Sequence, residues 1–129
     1  MKKRIHTEHA PAAIGPYSQA IILDNMVYTA GQVALDPQTG NLIEGGIEAQ
    51  TERVLNNLTA VLVAAGTDTR NVVKTTVYLA SMGDFATMNA VYGRFFDPEI
   101  PPARTTIQAG ALPRNALIEI DCIASLNRE

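Results

Sequence analysis

Of the 129 residues only one, Cys122, is a cysteine, so no disulfide can form within the chain. That usage fits a reducing compartment, and a cytoplasmic location is expected. Tryptophan is absent, and only two histidines occur, at His6 and His9. Neither histidine stands in a cysteine or carboxylate pattern typical of zinc, so both read as structural or solvated, and no metal is expected. No stretch approaches the ~18–20 apolar residues of a membrane span. Met1-Lys2-Lys3-Arg4 is followed by His6, Glu8 and His9 where a signal peptide would need an apolar core. There is no basic excess either: 10 Lys+Arg against 13 Asp+Glu leave a net charge of −3. Such a balance gives no general attraction to nucleic acid or to an anionic membrane. Glycine-rich nucleotide loops, HExxH and the serine nucleophile elbow are all missing, which removes the commonest cofactor and hydrolase signatures. No cofactor is implied.

What is present is one domain's worth of chain, residues 1–129, with 47% hydrophobic residues. A domain of this size buries roughly 65–70% of its unfolded surface and needs no staple. Residues 17–23 and 26–33 are rich in strand formers, and Asp24-Asn25 between them suits a tight hairpin turn. Residues 47–65 carry Ile47, Val54, Leu55, Leu58, Val61, Leu62 and Ala65 at helical spacing. Glu48, Glu52, Arg53, Asn56 and Asn57 make the opposite, solvent-facing side, and Gly66 supplies a stop. Residues 72–79 read as a β-branched strand. A second helix is expected from Ser81, with Ser81 and Asp84 spaced as in a capping box, to Pro98. Residues 104–109 and 116–124 read as two further strands joined by a loop containing Leu112-Pro113, with no helix between them. The order predicts an α+β fold: a mixed or antiparallel sheet with both helices on one face. The uncovered face would carry Val72, Tyr78, Leu117 and Ile123, and an apolar face without cover implies a homo-oligomer.

Alternation places Arg104, Thr106 and Gln108 on one strand face, and Leu117, Glu119, Asp121 and Ile123 on one face of the next strand. If the two strands form a hairpin closing near Ala109 and Ala116, Thr106 lies opposite Glu119 and Arg104 opposite Asp121. Spacing alone favours a cross-strand surface ion pair, worth ~0.2–1 kcal/mol. Two features favour a ligand site: Pro101-Pro102-Ala103 stiffens the approach to Arg104, and an oligomer interface would turn this face into a cleft. A guanidinium there grips a carboxylate through two parallel hydrogen bonds. Cys122 points away from Glu119 and reads as a small buried hydrophobe. Gly31, a glycine within a strand, marks a bulge or a close backbone approach.

At these residues the chain resembles the RidA (YjgF-type) family of imine and enamine deaminases. The matching blocks are residues 13–20 (Ala-Ile-Gly-Pro-Tyr-Ser-Gln-Ala), 27–32, 73–79, 88–92, 102–106, 111–113 and 118–121. The resemblance implies a chorismate-mutase-like fold and a homotrimer with ligand sites between subunits. It also implies a cofactor-free hydrolysis of short 2-imino acids, formed from enamines such as 2-aminoacrylate, to 2-oxo acids and ammonia. By position, Arg104 matches the carboxylate-binding arginine, and Glu119 the glutamate that positions water. Tyr17 matches the aromatic that closes over the ligand, Gly31 a backbone contact, and Asn89 a polar helix residue. Two departures alter polar groups beside the ligand: Ala30 stands where many members carry Ser, and Thr106 where many deaminases carry Cys. Asp97-Pro98-Glu99 is about one residue longer than usual. Two other activities stand beside this one: a trimer that binds small carboxylates without catalysis, and RNA cleavage, which has been attached to some relatives and which the acidic balance opposes.

Overall fold

Ala20–Leu23 (β2) and Met26–Thr29 (β3) pair antiparallel across a two-residue turn, with Asp24 in the left-handed region at φ 53°. The structure, a computed structural model, describes residues 1–126 of the chain. The hairpin is shorter than the strand-forming composition suggests. Beyond Thr29 one backbone bond, from Ala30 N to Gln19 O at 2.9 Å, continues the hairpin, and Gln32 instead forms an isolated bridge with Ile120. Lys3–Ile5 (β1) adds to β2 on its outer side. The remaining strands are Val72–Leu79 (β4), Ala103–Gln108 (β5) and Ile118–Ser125 (β6). The six strands form one mixed sheet in the order β1-β2-β3-β6-β4-β5.

The helix over Ile47–Ala65 (α1) has the bounds its periodicity predicts, and Gly66 ends it at φ 93°. Leu55, Leu58 and Leu62 are almost fully buried, each contributing about 1.5–3 kcal/mol. One residue of the supposed solvent face is not there: Asn57 is fully buried. Its Nδ2 donates to the carbonyls of Val33 (3.3 Å) and Leu35 (3.0 Å), tying the chain after β3 to α1. A polar side chain thus sits inside because irregular backbone nearby needs a donor.

Ser81 caps not α-helix but a short 3-10 turn, Met82–Asp84, accepting from Gly83 N. The second helix proper (α2) is Phe85–Tyr92, and Gly93 ends it before Phe95 and Phe96, short of the Pro98 expected to stop it. Tyr92 and Phe96 still reach the core that α1 and the sheet share. Val72 is buried in that core, not on the uncovered face, because a bulge between Val72 and Lys74 shifts the alternation of β4. The uncovered face carries Tyr28, Lys74, Thr76, Tyr78, Ile107 and Ile123. Of these, Tyr28 and Ile107 stay more than two-fifths exposed.

Candidate functional site

β5 and β6 are not neighbours. β4 lies between them, parallel to β5 and antiparallel to β6. The expected hairpin is therefore replaced by two rows across three strands. Arg104 stands beside Thr75, and Thr75 beside Cys122; Ile107 stands beside Tyr78, and Tyr78 beside Glu119. Directly paired residues share a face. The buried Thr75 and Cys122 mark the first row as helix-facing, and the second row lies on the open face. Each strand's own alternation is as the sequence indicates. The two strands, however, present Arg104 and Glu119 to opposite sides of the sheet. Asp121 is not opposite Arg104 either. It accepts from Tyr78 Oη at 3.3 Å on the open face.

Glu119 belongs to a cleft built where the chain leaves β3. Gln32 and Ile120 exchange backbone bonds of 2.9 and 3.1 Å, which lays Gly31 over the Glu119 side chain. A Cβ on Gly31 would collide with Glu119 Oε2 and lie 2.8 Å from its Cδ, so any larger residue there would push the Glu119 carboxyl aside. The cleft has a volume of about 620 Å³, and Tyr17, Ala30, Gly31, Gln32, Arg114 and Glu119 are among its lining residues. Tyr17, 53% exposed, stands at its mouth. Burial pushes the Glu119 carboxyl above its ordinary range, and the Asp121 charge adds to this. Burial also raises Asp121, against the Tyr78 bond, the Lys74 charge and a Thr76 bond, which lower it.

Gln19 holds the segment that carries Tyr17. Its Oε1 accepts from Thr7 N at 2.7 Å, and its Nε2 donates to Thr7 O (3.0 Å), Ala10 O (3.4 Å) and Pro11 O (2.8 Å). Sequence reasoning did not single out Gln19 or Arg114. A glutamine beside strand formers and an arginine in a loop carry no local pattern, and only the fold brings them to the cleft.

Arg104 belongs to a second cluster at the edge of the sheet. Nη1 donates to Asn89 Oδ1 at 2.7 Å. The guanidinium carbon lies 4.8 Å from the Tyr92 ring centroid and 5.4 Å from that of Phe85, contacts that favour a planar cation. Tyr92 is itself fixed by a 2.7 Å bond with Thr75 Oγ1. Two strand positions on, the buried Thr106 Oγ1 has no hydrogen-bond partner among the described residues. An orphaned hydroxyl beside a half-buried cation is a polar setting ready for an anionic guest. The six sequence-predicted residues thus divide evenly: Tyr17, Gly31 and Glu119 in the cleft, Asn89, Arg104 and Thr106 at the edge.

Other candidates fall away. His6 and His9 are exposed and follow β1. No group of three or more His, Cys, Asp or Glu that could hold a metal occurs among the described residues. Cys122 is buried, and burial pushes its thiol up to about 12, so it is a poor nucleophile. No helix among the described residues is long and apolar enough to cross a membrane.

Residues 7–126 match the family model described as endoribonuclease L-PSP. Reactive Intermediate Deaminase A of Arabidopsis thaliana is 50% identical over 125 residues, covering 97% of this chain and 66% of that one. The 2-iminobutanoate/2-iminopropanoate deaminase of Mus musculus is 50% identical over 124 residues, 96% of this chain and 91% of that one. The chain belongs to the RidA family. Among solved structures, Escherichia coli TdcF with bound serine has a TM-score of 0.89 at 40% identity, covering 98% of this chain and 99% of that one. The family blocks fall on the two clusters. Residues 13–20 and 27–32 build the cleft, while 88–92 and 102–106 build the arginine edge.

Proposed function

We propose that this chain is a cofactor-free deaminase that hydrolyses short 2-imino acids to 2-oxo acids and ammonia, in sites completed by two copies of the chain within a homotrimer. One observation carries the reading. An arginine stacked between aromatic rings and a glutamate whose carboxyl is held above its ordinary range by burial face opposite sides of one sheet. A site that uses both needs Arg104 from one copy and Glu119 from another. The apolar residues on the open sheet face support such an assembly.

The chemistry suits these few groups. Arg104 clamps the substrate carboxylate and so fixes the iminium carbon. Glu119 takes a proton from water as its oxygen bonds to that carbon, and the C=N electrons return to nitrogen. The protonated Glu119 then gives its proton to the amine. The C–N bond breaks as the Glu119 carboxylate takes the proton of the new hydroxyl, leaving the 2-oxo acid and ammonia, which departs as ammonium once it collects that proton. A carboxyl that alternates between base and acid serves both steps. Thr106 Oγ1 and the Gly31 backbone supply polar contacts along the substrate, and Tyr17 covers it. The names of the Arabidopsis and mouse relatives agree with this chemistry, and the serine bound by TdcF has the size and α-carboxylate of the substrates. RNA cleavage, suggested by the family model's description, has less support, since a net charge of −3 gives no general attraction to a phosphate backbone.

The test is a coupled assay in which 2-aminoacrylate or 2-iminobutanoate is generated enzymatically and the 2-oxo acid is followed. Accelerated release at catalytic amounts of the chain supports the reading. Tight 2-oxobutanoate binding with no acceleration would make it a non-catalytic carboxylate binder instead.

A further inference from the structure

One wall of the Glu119 cleft is irregular chain. Pro11, Ala12, Ile14 and Tyr17, all from the segment between β1 and β2, line it together with Gln19. Ala10 and Pro11 are buried, whereas residues 12–18 are exposed or half-buried, so core packing does not hold them. The bonds within the segment are short-range: His9 N to Thr7 Oγ1 at 3.2 Å and Tyr17 N to Gly15 O at 2.9 Å. These shape turns and leave the position of the wall open. Gln19 joins the two ends of the loop. Its backbone oxygen accepts from Ala30 N at 2.9 Å, one rung beyond the β2–β3 pairing and next to Gly31. Its buried side chain reaches the other way, accepting from Thr7 N and donating to Thr7 O, Ala10 O and, at 2.8 Å, Pro11 O. Residues 12–18 are thereby closed into a compact loop by a single amide. Only a carboxamide can accept from an N–H and donate to carbonyls at once in a buried place.

We infer that Gln19 is a positioning residue for the proposed reaction, closing the 12–18 loop so that Tyr17 is held at the cleft before the substrate arrives. This rests on the deaminase reading of the same cleft, in which Tyr17 covers the substrate. With the loop closed, the entropy of ordering it is met during folding. With the amide gone, the loop is ordered only when a ligand binds, and that cost is subtracted from affinity. Arg104 and Glu119 are untouched by the change, so chemistry in the bound complex continues and the loss falls on KM.

The test uses Gln19→Leu, which removes the amide at similar volume, and Gln19→Glu, which keeps the acceptor for Thr7 N and loses the amide donor. Each assembled protein is studied well below its unfolding temperature, by 2-iminobutanoate hydrolysis and by calorimetry with 2-oxobutanoate. Both variants should raise KM and weaken 2-oxobutanoate binding about tenfold, with kcat within about twofold of wild type. Val61→Ala, a core truncation on α1, lowers stability away from the cleft and should leave KM and affinity within about twofold. A background of Tyr17→Ala separates positioning from general loosening. With no ring left to place, either Gln19 variant should weaken binding by no more than about twofold further. Unchanged affinity in the Gln19 variants, an equal loss in Val61→Ala, or a full additive loss on the Tyr17→Ala background would overturn the inference. If wild type binds 2-oxobutanoate but turns over no imine, the deaminase reading fails, and the binding comparison still decides this one. If wild type does neither, both fall.

Discussion

The guanidinium of Arg104 lies against two aromatic rings and commits one donor to Asn89 Oδ1, while its other N–H groups find no partner among the described residues. A lysine keeps the charge but loses the planar stack, the Asn89 geometry and the paired donors. Arg104→Lys should therefore be nearly as damaging as Arg104→Ala. Each should lower kcat/KM by roughly two orders of magnitude, since losing a buried charged hydrogen-bond partner costs about 2–5 kcal/mol. Glu119→Gln should keep 2-oxobutanoate affinity and lose turnover. Steady-state kinetics and calorimetry on the three variants, each checked for assembly, separate these outcomes. Near-normal turnover in Arg104→Lys would reduce Arg104 to a structural residue.

At the level of elements, the segment between β1 and β2 has almost no regular structure and is held by one side chain, Gln19. Gln19→Glu would turn a donating amide into a carboxylate facing the carbonyls of Thr7, Ala10 and Pro11. The folded state then prefers the protonated carboxyl, so its pKa rises above the unfolded value. Stability should be close to wild type at low pH and fall as pH rises through that window, by about 1–3 kcal/mol at neutral pH. Thermal unfolding of both proteins at acidic and neutral pH checks this, and a deficit that does not change with pH would contradict it. The same scale shows what was legible in the sequence. The bounds of α1 and β4 follow from local periodicity, and the faces within β5 and within β6 follow from alternation. The strand order does not, because β4 inserts between β5 and β6 through a parallel pairing that no local pattern encodes. That single non-local fact moves Arg104 and Glu119 to opposite faces. Asn57 and Val72 were misread for related reasons, one serving distant backbone carbonyls and the other displaced by a bulge.

For the whole molecule, the proposed function has the Glu119 cleft and the arginine edge form one site where two copies meet. In the single chain, burial and Asp121 hold the Glu119 carboxyl above its ordinary range. Arg104 of a second copy would pull it back down, so assembly would release protons. The assembled state then binds fewer protons, and assembly should tighten as pH rises through this range and weaken as it falls. Sedimentation equilibrium across pH 4–8 should show this slope in wild type and a flatter one in Glu119→Gln; identical slopes would count against the shared site. The most direct test mixes two inactive chains. Arg104→Ala retains Glu119, and Glu119→Gln retains Arg104. Co-refolded in equal amounts, they form rings in which about one interface in four joins the intact arginine of one chain to the intact glutamate of the other. Activity near a quarter of wild type is the expected result. A mixture as inactive as either variant alone, in trimers shown by mass to contain both chains, would contradict the shared site.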